Sequence, residues 1–349
     1  MSHESAPIVS ILVPVYNRET LIRPCIESAL AQTVERIEIV VSDNASTDGT
    51  WSEIQRLAAQ DSRIRACRNE ENLGAVPNWL RCLALARAPL VKLLFSDDMI
   101  APSYLERTLP FLDNQSVGFV FTMAGIGPEP PGRNLAYRWR ETSGVFSSQQ
   151  FLADLISCGG DVPVSPGVAL FRRKDMQSFL KTAIPAPAGQ ELFAHGAGLD
   201  QLLFLLAAQN YSSVGYVCEM LSFFRAHPGS LTIGNGRRLE TFYHQTAIWF
   251  AYTYGYEDLL ARRAALAWVM LLQNERRVYS RVAIARRYLY DPPAKIHWWP
   301  FILGICDRLA WRLRKSAQMT DKDRDLWTNS YAEKAQPGSI SQPTRKAVI

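Results

Sequence analysis

No stretch of this chain reaches the ~18 consecutive apolar residues that a bilayer-spanning helix needs. The nearest, Trp298 to Ile305 (WWPFILGI), is short and holds a proline. It reads as core or as an interfacial wedge with tryptophan at headgroup depth, and the balance favours core. The six cysteines (Cys25, Cys67, Cys82, Cys158, Cys218, Cys306) contain no CxxC pair. Scattered thiols in apolar stretches behave as small hydrophobes, argue against a zinc site and fit a reducing cytoplasm. The opening MSHESAPIVS has no basic segment followed by a long apolar run, so no secretory signal is expected. Glycine is missing from PVYNRE, the loop after the first apolar run, which disfavours the phosphate-cradling loop of a nucleotidyltransferase. No Ser/His/Asp nucleophile constellation and no internal repeat stands out, and nucleic acid is not an expected partner.

What remains is ordinary in bulk and uneven in detail. With 349 residues, 48% hydrophobic and 20% charged, the chain can bury a sizeable core as one large domain, or one domain with an appendage. The net charge of +5 is mild, but basic residues clearly outnumber acidic ones between Arg262 and Lys315. That skew reads either as solvated helix faces or as a surface for anionic lipid or an anionic acceptor.

The first 120 residues alternate strand and helix signals. Strands are expected at Ile8–Val13, Ile37–Val41, Ile64–Cys67, Leu90–Phe95 and Val117–Thr122, with helices at Glu19–Gln32, Gly49–Ala59, Val76–Ala86 and Pro102–Leu112 between them. Repeated βα units with short connections imply a mostly parallel, doubly wound sheet flanked by helices, an α/β fold. Gly125 to Asn134 reads as a loop or hairpin crossing. A second α+β region follows from about Tyr137 to Ser230, then a mostly helical basic segment, then a polar tail at 331–349 expected to be disordered.

Two acidic clusters carry the chemistry. Asp43 and Asp48 in IEIVVSDNASTDGT, and Asp97 with Asp98 in LVKLLFSDDM, each follow an apolar run of buried-strand character. Carboxylates where such strands end stand at the carboxyl edge of the sheet, where open α/β sheets bind ligands. Adjacent carboxylates repel, so a site keeping both ionised usually holds a cation against its substrate. For Asp48 the balance favours a helix cap. Pro14, Tyr16 and Asn17 form a loop that could face a base or ribose, or a plain strand-to-helix turn. Asn72 and Gly74 suit a turn with glycine at positive φ, and Arg68 could neutralise phosphate.

The ordered set PVYN, SDNASTDGT, NLG and SDD resembles the family 2 glycosyltransferases of GT-A fold, over about residues 8 to 230. The resemblance implies a metal-dependent, inverting transfer of a sugar from a nucleotide-diphosphate donor, UDP-sugars being favoured. Asp43 would then bind the base, Asp97 the ribose or phosphates, and Asp98 a Mg²⁺ or Mn²⁺ ion. The family's aspartate-any-aspartate motif reads Ser96-Asp97-Asp98 here, which leaves the division of labour between the two carboxylates open. Asp200, in GAGLDQLLFLLAAQN, matches the family's catalytic base, with Glu191 as fallback; a helix cap is the competing reading. SFFRAHPGSLT resembles the Arg-any-His segment that folds over the diphosphate, so Arg225 would add positive charge and His227 a metal or phosphate contact. VSPGVALFRR resembles the core strand beside the acceptor cleft, with Arg172 or Arg173 facing it.

The processive members' Gln-any-any-Arg-Trp motif is replaced by Gln273-Asn274-Glu275-Arg276-Arg277, without the tryptophan, so one sugar per binding event is expected. The implied domains are 1–235 (a nucleotide half at about 8–122 and an acceptor half at about 137–230) and a basic helical region at 236–330. The implied acceptor is a carbohydrate or lipid-linked glycan, in surface polysaccharide assembly, at the cytoplasmic face of the membrane with peripheral contact through the basic region. The alternative is a non-catalytic scaffold of the same fold that binds nucleotide sugar or glycan.

Overall fold

The computed structural model describes residues 6–130, 134–157, 162–163, 165–187, 196–227, 229, 231–275 and 277–314. The expected tail at 331–349 and the fallback base Glu191 lie outside them.

The first strand, β1 (Val9–Val15), is buried along its whole length. It is sandwiched between parallel neighbours, β2 (Ile37–Asp43) and β4 (Leu90–Leu93), and β3 (Ile64–Arg68) adds to the outer side of β2. A strand covered on both faces and both edges has no solvent side, so its sequence is a continuous apolar run. Pro14 is tolerated in this central position because the ladder to β4 ends at Leu12, leaving no partner on that side for the missing N–H. Three helices connect the strands: α1 (Ile22–Leu30), α2 (Thr50–Ala58) and α3 (Ala75–Leu85). The first is shorter than the sequence predicts, because the backbone of Arg18 and Glu19 is held by Thr50 and Asp48.

After β5 (Met99–Ile100), α4 (Tyr104–Thr108) gives way to a 3₁₀ turn over Leu109–Asp113. Pro110 cannot supply the N–H that an α-helix would need there. The next strand, β6 (Val117–Gly127), extends three residues into the segment expected to be a loop or hairpin crossing and pairs antiparallel with β7 (Asn134–Tyr137) on its far side. The second half adds β8 (Gly144–Ser147), α5 (Ser148–Ser157), β9 (Ala169–Arg172), α6 (Arg173–Phe179), α7 (Leu199–Asn210) and β10 (Ser213–Arg225).

The ten strands among the described residues form one mixed sheet of order β3-β2-β1-β4-β9-β6-β10-β5, with β7 on β6 and β8 on β10. It is parallel from β3 to β4 and between β6 and β10, while β9 lies antiparallel to both β4 and β6. Under the second half lies an aromatic cluster in which Phe119 packs against Phe151, Phe171 and Phe204 with centroids 5.1–5.3 Å apart. Truncating any one of these buried rings to alanine would cost about 3–5 kcal/mol.

Four helices follow: α8 (Leu231–Thr253), α9 (Glu257–Glu275), α10 (Arg281–Tyr288) and α11 (Trp298–Arg314). The expected boundary at 235 falls inside α8, whose Phe242 and Phe250 join the sheet core while Ile248 and Ala251 join a second core with α9 to α11. The segment WWPFILGI, expected to be core, divides: Phe301 is buried, whereas Trp298 and Trp299 are exposed. No helix among the described residues is long and apolar enough to cross a membrane.

Candidate active site

The in-register pairing of β1 and β2 sets Val15 opposite Asp43, so both strands finish at the same edge. β4 ends beside them, and Leu94 N–H still donates to Leu12 O at 2.8 Å before the chain turns through Ser96, Asp97 and Asp98. The two acidic clusters therefore share the carboxyl edge of the parallel strands.

The loop after β1 and the loop after β2 are laced together. Asn17, at φ +51°, takes Thr47 N–H on its Oδ1 at 2.9 Å and gives its own N–H to Ser46 Oγ at 2.9 Å. Tyr16 stands out into solvent beside them. Asp43 is fully buried and pairs with Arg68, whose Nε lies 3.1 Å from its Oδ2. Ser46 adds a short hydroxyl bond to the same carboxylate, and Arg68 also donates to Ser46 O at 2.7 Å. Arg68 is thus engaged at the Asp43 turn. Asp48 accepts from Thr50 N–H at 3.0 Å, the capping-type contact the sequence allowed for. Burial would raise its pKa, but bonds from Thr50 and Glu19 outweigh that and hold it below the usual range.

Asn72 works within its own loop. Its Oδ1 accepts from Asn44 at 2.7 Å and from Gly74 N–H at 2.9 Å. Gly74 has φ +87°, the positive value expected of it, and opens α3. Asn69 and Asn78 extend the network, with Asn69 donating to both Asn44 and Asn78 at 3.0 Å. Sequence reasoning missed these three asparagines, because an Asn in a polar loop carries no local sign of its partner.

β10 runs antiparallel to β5, with Phe223 opposite Met99, and so delivers Arg225 and His227 to the acidic pair. Arg225 N–H donates to Asp98 Oδ1 at 3.1 Å. His227 Nε2 lies 3.0 Å from Asp97 Oδ2, so the imidazole meets Asp97, while Asp98 is drawn to Arg225. Arg18, absent from the sequence candidates, joins them: its Nε is 3.5 Å from Asp97 Oδ2, and its Nη2 reaches Gly229 O at 3.3 Å. Asp98 is buried, and burial first, then the neighbouring Asp97 charge, raise its pKa well above the usual carboxylate range. Below it Lys92, fully buried, donates to Gly167 O and lies 4.6 Å from the centre of the Tyr104 ring. Burial lowers the Lys92 pKa to about 7. Among the described residues no three His, Cys, Asp or Glu side chains close round one point to form a ready metal cage.

Asp200 lies in the first turn of α7, after Gly196 and Gly198 at φ +73° and +85°. A side chain at Gly196 would collide with Trp79, whose own ring lies 5.3 Å from that of Phe95, two residues before Asp97. Asp200 Oδ1 accepts from Gly198 and Gln201 N–H at 2.8 and 2.7 Å, and Oδ2 from the Tyr243 hydroxyl at 3.0 Å. Burial pushes its pKa up to about 7 against those three bonds. Tyr243, on α8, was not legible as a partner from sequence. Arg172 and Arg173 depart from expectation. Arg172 donates to Leu112 O and Arg173 to Ala86 O, at 2.9 and 2.8 Å, so both brace the sheet near the start of β4 instead of facing a cleft.

Residues 10–179 match the family model described as glycosyl transferase family 2. These residues belong to that family. Among relatives of this glycosyltransferase domain is the Escherichia coli UDP-Glc:alpha-D-GlcNAc-diphosphoundecaprenol beta-1,3-glucosyltransferase WfaP. The two are 32% identical over 136 residues, 36% of this chain and 53% of WfaP. Chondroitin synthase of Pasteurella multocida is 32% identical over 140 residues, 39% of this chain and 14% of the synthase. The chain spans about a third of one curated relative that it matches and about half of WfaP. In structure it resembles residues 1–349 of S. aureus TarS in complex with UDP-GlcNAc. The TM-score is 0.61 at 15% identity, over 94% of this chain and 91% of that one. The shared feature is the fold, a GT-A sheet with flanking helices and a helical C-terminal region.

Proposed function

We propose that this chain is an inverting glycosyltransferase that moves one sugar per binding event from a UDP-sugar to a carbohydrate or lipid-linked glycan, in surface polysaccharide assembly at the inner face of the cytoplasmic membrane. The observation that carries the reading is the gathering of Asp97, Asp98, Arg18, Arg225 and His227 at the carboxyl edge of the parallel strands. That edge is where an α/β sheet of this kind takes a nucleotide. The name of WfaP, which couples UDP-Glc to a diphosphoundecaprenol-linked acceptor, supports the donor and acceptor classes.

Carboxylate oxygens and an imidazole nitrogen suit Mg²⁺ or Mn²⁺, and a dication beside Asp98 would offset the burial that now disfavours its charge. Asp98 and His227 are the residues that would hold it, with Asp97 beside them for the ribose or phosphates. When bound, such a cation would neutralise the diphosphate and ease departure of the nucleotide. Arg18 and Arg225 add positive charge at the same place. Pro14, Tyr16, Asn17 and the Asp43–Arg68 turn form the wall for base and ribose, and Asn72 and Gly74 brace it. Asp200, with a proton affinity near neutrality, takes the proton from the acceptor hydroxyl on the face opposite the nucleotide.

Calorimetric titration with UDP, GDP and CDP, with and without Mn²⁺, tests the reading. Metal-dependent binding of UDP supports it. A folded protein that binds none of the three is a scaffold, not a transferase.

A further inference from the structure

Helix α11 has two apolar sides and uses only one of them. Phe301 faces inward, near Trp268 at 6.2 Å between ring centres. On the other side Trp299, Ile302, Cys306 and Leu309 recur at helical spacing, three or four residues apart. Trp299 is 67% exposed and Leu309 56%, with Cys306 exposed and Ile302 half-buried between them. Trp298 is 61% exposed at the start of the helix. Leaving two adjacent indoles in water forgoes a large burial gain, and such a stripe marks an interaction surface more often than chance.

Charge at the head of the stripe identifies its occupant. Arg281 stacks over the Trp298 ring at 4.5 Å, and its Nη1 donates to Ile296 O at 2.6 Å. Arg281, Lys295, His297 and Trp298 line an open groove of about 450 Å³. Glu257 is the acidic group here, with its Oε2 3.1 Å from His297 Nε2. From 277 to 314 the chain carries eight basic residues against two acidic ones, Asp291 and Asp307. Asp307 is already paired with Arg262 at 3.0 Å. Aromatic rings beside cations fit the headgroup layer of an anionic bilayer, where the ring sits at the acyl boundary and the cation meets phosphate.

We infer that the outer face of α11, with Trp298, Trp299 and Leu309 as apolar anchors and Arg281 and Lys295 as phosphate contacts, docks this protein in the plane of an anionic phospholipid surface. Such docking gives a location to the lipid-linked acceptor of the proposed reaction, but it stands on this surface alone.

Co-sedimentation of the full chain with vesicles of phosphatidylcholine, with and without phosphatidylglycerol, tests it, together with tryptophan emission. Binding only to the anionic vesicles, weakened by high salt and accompanied by a blue shift, is the expected result. The double variant Trp298→Ser, Trp299→Ser should bind about tenfold or more weakly, the scale of one buried aromatic. The double variant Arg281→Gln, Lys295→Gln should lose the preference for phosphatidylglycerol. Equal partitioning of wild type and both variants, or no binding to either vesicle, overturns the inference. So does a dimer in sedimentation that the tryptophan variant abolishes, since a second copy would then own this face. UDP titration of the same proteins separates the two readings: absent nucleotide binding would sink the transferase and leave the docking surface standing.

Discussion

Asp97 and His227 are 130 positions apart in the chain, yet the imidazole Nε2 lies 3.0 Å from the carboxylate Oδ2. Arg18 approaches the same oxygen at 3.5 Å. The acidic pair is thus partly compensated by the protein's own groups, and under the proposed function a nucleotide with its cation would have to exchange for them.

That exchange can be measured. Asp98→Ala should remove metal-dependent UDP binding in calorimetry while the protein stays folded by circular dichroism. His227→Gln removes a nitrogen that would hold the cation, so metal-dependent UDP affinity should fall. Unchanged Mn²⁺ dependence in both variants would remove the metal from this site.

Asp200 predicts a pH profile. Its pKa is raised to about 7, so kcat/KM should rise with pH and level off above about 7. Asp200→Asn should lower the transfer rate by about 10²–10⁴-fold with UDP binding intact. Tyr243→Phe removes a bond that favours the carboxylate, so it should move the limb to higher pH. The same shift acts on stability in the opposite sense. A carboxyl whose folded pKa exceeds its unfolded one favours folding at low pH, and that contribution is lost as pH rises from about 4 to about 7.

Lys92 predicts a different signature. Lys92→Met would leave the buried Gly167 carbonyl without its donor, at a cost of about 1–3 kcal/mol in urea unfolding. It also removes a positive charge that favours ionised Asp98, so metal-dependent UDP affinity should fall as well. A loss of stability with UDP affinity unchanged would make Lys92 purely structural.

Glu38 separates stability from chemistry. It is buried at the far end of β2, bound to Ser10, Arg65 and Arg87. Burial alone would raise its pKa, but these partners bring it down to about 2. Its contribution to folding is present above about pH 4.5 and lost as pH falls through about 2. Glu38→Ala should destabilise by about 3 kcal/mol at neutral pH, with UDP affinity of the folded protein unchanged.

Much of the fold and of the site is legible in the residues themselves. β1, β2 and β4 announce themselves as apolar runs, and the acids that end them can only gather at one edge once the strands are parallel. Asp48 and Gly74 obey local turn chemistry, which a sequence carries in full. What stays hidden is long-range. Arg18 is one residue past a recognised loop, but its contacts with Asp97 and Gly229 depend on the whole sheet. Tyr243 meets Asp200 across two helices. Arg172 and Arg173 mislead because a basic pair after a strand has no sign of which end of the sheet it will brace. The antiparallel placement of β9 is hidden for the same reason: four residues carry too little periodicity to declare a direction.

The small strand has an outsized consequence for how the chain can be handled. β9 sits between β4 and β6 and is synthesised after both. A nascent or truncated chain that stops before residue 169 therefore presents open backbone edges on two of its most apolar strands, ready to pair with any neighbour. The nucleotide half, which looks separable along the sequence, should aggregate when expressed alone and become tractable only once those four residues lock the gap.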